Sequence, residues 1–195
     1  VCSANPNLTR ADPPGELMRF VESWHQVAGH DPLWLLFDSQ VVPYSELSRV
    51  NRRGIHFVTI RRRGAAVLRR LRALPPQAWK RAVINTPKRR HQRVRFVDES
   101  IRLPDYEGAI RQLAVDGLGR EQPTLFRSNN LTETSRALII RSAGRNGVED
   151  GLGSSVNFFH LDCLASEVRL KVDLDVALTV LAHGCYRWLA HHLKG

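Results

Sequence analysis

LWLLFDSQVVPYSELSRVNRRGIHFVTIRRR, Leu33 to Arg63, is the stretch whose reading decides the fold. It opens on a continuous apolar run, Leu33 to Phe37, bounded by turn residues and followed at once by Asp38. A run of that kind predicts a strand buried on both faces. IHFVTI, Ile55 to Ile60, predicts a second strand. Between the two, Pro43 to Val50 reads as a helix, with Gly54 after it. Upstream, Pro13 and Pro14 open a helix at about Gly15 that Gly29 ends. Leu17, Phe20, Val21 and Trp24 give it an apolar face at helical spacing. The order helix, strand, helix, strand predicts a parallel α/β sheet.

Downstream the character changes. Gly64 to Leu74 reads as a basic helix stopped by Pro75 and Pro76. Short strands are expected at Arg93–Val97, Ile110–Val115 and Thr124–Phe126, separated by LPDYEG and DGLGREQP. That pattern predicts an inserted, largely antiparallel module over residues 62–130. It divides a core segment, 1–61, from a helical end, 131–195. In that end, helical periodicity runs from about Thr132 to Gly151, with further helices at Leu164–Val172 and Asp173–Leu193.

The chain has 195 residues, 43% hydrophobic and 25% charged, enough for a folded core. Its 29 Lys and Arg against 19 Asp and Glu leave a formal charge of +10. Such an excess suits a polyanionic partner, since each neutralised phosphate releases counterions. An arginine-rich genome composition would produce the same excess. Cys2, Cys163 and Cys185 form no CxxC pair and no zinc spacing, which fits a reduced, cytoplasmic setting. The apolar tract LDVALTVLAHGCYRWLAHHL carries Asp175, His183 and Arg187, and predicts a helix rather than a membrane span. The opening VCSANPNLTRADPP lacks a signal-peptide pattern, and the chain is expected to begin inside a longer protein.

Two carboxylates draw attention. Phosphodiester cleavage and strand transfer use two divalent ions about 3.5–4 Å apart. Hard ions such as magnesium take oxygen ligands, so such sites are built from Asp and Glu. The carboxyl ends of strands in an α/β sheet are where these ligands sit. Asp38 is placed for that role, although any strand-to-loop turn also shows a polar residue. Glu149 follows Arg145 by one helical turn, so the pair shares a face. A solvated ion pair on a helix surface would look the same.

Three segments then carry a resemblance. LFDSQVVPYSELSRVNRRGIHFVTIRRRG, Leu36 to Gly64, resembles the region around the second catalytic Asp of DDE transposases of bacterial insertion sequences. RLPDYEGAIRQLAVDGLGREQPTLFRSNN, Arg102 to Asn130, is similar to their inserted module. The tail from GVEDG through NFFHLDCLASEVRLKVDLDVALTVLAHGCYRWL is similar to their terminal helices. The branch is the one marked by a Tyr-Arg-Glu-Lys signature.

The resemblance implies a ribonuclease H-like mixed sheet flanked by helices, with a largely β insertion before the last catalytic helix. It implies Asp38 and Glu149 as the second and third metal-binding carboxylates and Arg145 as the signature arginine. Mg2+ is the implied cofactor, with Mn2+ able to replace it. DNA, as transposon ends and target, is the implied partner, and the full-length protein is expected to be a homodimer at the bacterial nucleoid. Ser142 stands where the family has tyrosine, and Val156 where it has lysine. The first catalytic Asp is expected upstream of this chain, so the chain alone is expected to be inactive. The alternative is an inactive transposase remnant that acts at most as a basic DNA-binding module.

Basic clusters suit phosphate contact, which positions DNA without reading its sequence. They are Arg61, Arg62 and Arg63, then Arg69, Arg70 and Arg72, then Lys88, Arg89, Arg90, Arg93 and Arg95. Each reads equally as a solvated basic face. Trp79, beside Lys80 and Arg81, could stack on a base or belong to the core. The eight histidines show no HxxxH or HExxH spacing.

Overall fold

The apolar runs and their Gly and Pro punctuation translate, among the described residues, into a mixed sheet of six strands. The computed structural model describes residues 13–38, 42–61, 63–86, 89–143 and 169–193. Helix α1 covers Pro13–Ala28, strand β1 Trp34–Asp38, helix α2 Tyr44–Arg52 and strand β2 His56–Arg61. Helix α3 (Ala65–Ala73) and a short 3-10 turn (Pro76–Ala78) lead to β3 (Lys80–Thr86) and β4 (Arg89–Ile101). Strands β5 (Ile110–Asp116) and β6 (Thr124–Ser128) follow, then helix α4 (Ser135–Ala143) and a last helix, α5 (Arg169–His192).

The six strands lie in the order β1-β2-β6-β5-β4-β3. Only β1 and β2 are parallel, with Trp34 opposite His56 and Asp38 opposite Ile60. Every other neighbouring pair is antiparallel. The parallel sheet expected from the first four elements is therefore a mixed one. The reason is that β2 takes β6, arriving from downstream, as its second neighbour, so β3 to β6 extend the sheet of β1 and β2.

Side chains alternate across the sheet. Leu35, Phe57 and Ile110 meet Met18 and Val21 of α1 and Leu47 and Val50 of α2. On the same face, Ala114 and Leu125 meet Leu71 of α3. Val58, Phe96, Leu113, Val115 and Phe126 face the other way, onto Leu138 and Ile139 of α4. Each fully buried aliphatic or aromatic side chain contributes roughly 1.5–3 kcal/mol.

Strand β1 is not buried on both faces. Leu36 is 39% exposed, and among the described residues β1 pairs only with β2. Strand β3 was not foreseen. Its inward Ala82 and Ile84 alternate with Arg81, Val83 and Asn85, and the basic residues obscure the period of two. Strand β4 extends beyond the expected Arg93–Val97 at both ends. Gly117 closes the turn after β5 at φ +91°, where an added Cβ would stand 3.0 Å from the Arg93 carbonyl oxygen.

Helix α5 belongs to a second compact unit, formed by residues 1–11 and 146–195, separate from 12–145. It runs unbroken through Val172 and Asp173, where two helices were expected to meet. Neither residue removes a backbone donor or frees the chain as Pro or Gly would. No helix among the described residues is long and apolar enough to cross a membrane.

Candidate functional site

Asp38 ends β1, at the carboxyl end of the parallel pair. Its Cα pairs with that of Ile60 in β2. Glu149, Arg145, Arg62 and Lys88 lie outside the described residues, as do Val156 and the side chains of Asp38, at the end of β1, and of Arg89 and Arg90, at the start of β4. Among the described residues, no group of three or more His, Cys, Asp or Glu could hold a metal ion.

Asp98, at the base of α4, is committed to structure. Asp98 accepts from Arg111 Nε at 2.9 Å and from Ser135 Oγ at 2.6 Å. Burial pushes the Asp98 carboxyl up, but the hydrogen bonds from Arg111 and Ser135 outweigh it and hold it below the ordinary carboxylate range. Arg111 also donates to the Glu133 carbonyl, so this cluster pins the start of α4 to β4 and β5. At the other end of α4, Arg141 stacks on Trp34 with its guanidinium carbon 3.9 Å from the ring centre. Asp31, in the turn after α1, is held by Arg53 at 2.6 and 2.7 Å, and Arg53 keeps its pKa low. Ser142 is buried and donates to the Ile139 carbonyl at 2.7 Å, a bond within its own helix turn.

On the opposite face of β1 and β2 lies a pocket of about 170 Å³, lined by Phe37, Val42, Tyr44, Leu47, Thr59, Arg61 and Arg127. Arg61, one of the expected DNA contacts, is half-buried on its wall. Arg127 sits opposite Thr59 in the β2–β6 ladder and is only 2% exposed. Its Nη1 donates to the Tyr44 hydroxyl at 2.8 Å, and its Nε to Gln112 Oε1 at 3.2 Å. Gln112 donates in turn to Glu99 at 2.7 Å, and Glu99 takes a double hydrogen bond from Arg70.

No protein-family model matches the chain, and no curated protein matches it.

The basic clusters separate by partner. Arg70 is occupied by Glu99, and Arg95 by Asp116 at 2.7 Å while stacked on Trp79. Trp79 itself packs against the cluster around Leu71. Arg63 donates to the Gln122 carbonyl at 3.4 Å. Arg69, Arg72 and Arg93 are exposed. Sequence reasoning missed Arg127. Its only signal is a lone arginine between apolar and small residues in a strand where every position is buried.

Proposed function

We propose that this chain is part of the catalytic domain of a DDE transposase, with Asp38 and Glu149 as two of three metal-binding carboxylates. The observation that carries the reading is the position of Asp38. It closes a strand at the carboxyl end of a parallel pair, at the edge of a mixed sheet. Helix α4 begins the segment that leads to Glu149. In a ribonuclease H-like fold, one further strand bearing the first Asp would stand beside β1.

The donor set suits magnesium, which takes a few carboxylates and completes its shell with water and substrate phosphates. A bound divalent ion supplies Lewis acidity at the phosphorus-bound oxygens. Asp38 and Glu149 would hold and space the ions, and the exposed arginines would clamp the DNA backbone. The full-length protein would act on transposon ends and target DNA as a homodimer.

The test is strand transfer by the full-length protein in Mg2+. Wild type joins 3′ ends to target DNA, and Asp38→Ala and Glu149→Ala each stop it. Transfer that survives both substitutions overturns the reading. The 195-residue chain alone is expected to give none.

One observation favours the second reading, an inactive remnant that binds DNA. Ser142, where the family carries tyrosine, turns its hydroxyl into its own helix instead of toward a phosphate. That reading predicts DNA binding that falls steeply with salt and no cleavage with or without Mg2+.

A further inference from the structure

Arg127 is the largest fully buried side chain among the described residues. Its guanidinium stays charged at any physiological pH. Its partners are the neutral Tyr44 and Gln112, and the remaining nitrogen, Nη2, has no partner. The nearest carboxylate along this chain of bonds, Glu99, is already held by Arg70. A buried cation without a counter-ion is costly. Thr59, opposite Arg127, also buries a hydroxyl without a partner.

Thr59 and Arg127 both line the pocket at the carboxyl ends of β1 and β2, where open α/β sheets take ligands, and their unpartnered atoms lie just beneath its surface. Arg61 adds a second cation to its wall. Tyr44, the first residue of α2, accepts from Arg127 and keeps its own proton for a ligand. No side chain caps that helix end, which adds a partial positive charge. Glu46 in the same turn does not line the pocket and takes Arg49 at 2.7 Å.

We propose that this pocket binds a single phosphate group. Donors from Thr59, Tyr44, Arg61 and Arg127 outnumber the two oxygens of a carboxylate, and among the described residues that line the pocket none is acidic. Guanidinium forks match the geometry of a phosphate. The proposal does not rest on the transposase reading: it uses neither Asp38 nor Glu149, and Arg61 is the residue the two share.

Calorimetric titration of the 195-residue chain with inorganic phosphate, at constant ionic strength in chloride, tests it. One site is expected in the wild type. Thr59→Val, which keeps the shape of the side chain, weakens it about ten-fold, the loss of one hydrogen bond to a charged group. Arg61→Gln and Arg127→Met abolish it. Absence of binding, equal binding of acetate, or affinity unchanged in Thr59→Val and Arg61→Gln overturns the proposal. A 5′-phosphorylated oligonucleotide that competes better than its 5′-hydroxyl twin assigns the phosphate to a nucleic acid end. Equal competition assigns it to a free phosphate or a small ester, and both results keep the site.

Discussion

Arg127 of β6 donates to the hydroxyl of Tyr44, 2.8 Å away and 83 positions earlier in the chain. This bond joins the start of α2 to a strand of the expected insertion, and it crosses the carboxyl ends of β1 and β2. The two segments therefore share one sheet face and one polar network.

That bond has a measurable cost. Tyr44→Phe leaves a second Arg127 nitrogen buried without a partner, and about 1–3 kcal/mol of stability is expected to go with it. Urea unfolding of wild type and variant measures the difference. An unchanged midpoint would mean that water satisfies Arg127 from the pocket.

Asp98 sets an acid limit. Its folded pKa is held below the unfolded value, so its contribution is present above about pH 4 and is lost as pH falls through the folded value. Asp98→Asn should cost roughly 1.5–3 kcal/mol at neutral pH. The gap between variant and wild type should narrow only below about pH 4. A gap that closes between pH 7 and pH 5 would point to a different titrating group.

Arginines already paired should not hold DNA. Removing a cation that neutralises one phosphate reduces the salt slope of DNA binding by about 0.9. Lys88→Ala with Arg90→Ala is expected to lower the slope by about 2. Arg70→Ala should leave the slope unchanged and reduce stability, because Arg70 serves Glu99. A large slope change in Arg70→Ala would show that the Glu99 pair opens on DNA.

How far the fold could be read from the sequence followed burial. Helices α1, α2 and α3 and strands β1, β2 and β5 lie close to where apolar spacing and Gly or Pro boundaries put them. Strand β3 escaped because Lys80 and Arg81 look like a basic loop until β4 pairs with them. The exposure of Leu36 escaped because a run of apolar residues does not say whether its strand has one neighbour or two. The place of Asp38 at the end of β1 was legible, since a carboxylate at the close of an apolar run is a local pattern. Arg127 was not, because its meaning comes from Thr59 and Tyr44, which only the folded sheet brings to it.

The central claim is that Asp38 and Glu149 share a metal. Fe2+ in place of Mg2+, with ascorbate and peroxide, cuts a polypeptide beside the bound ion. The account predicts cuts near both Asp38 and Glu149, suppressed by excess Mg2+ and absent from both places in Asp38→Ala. Cuts at only one of the two, or cuts that Asp38→Ala leaves unchanged, would contradict it.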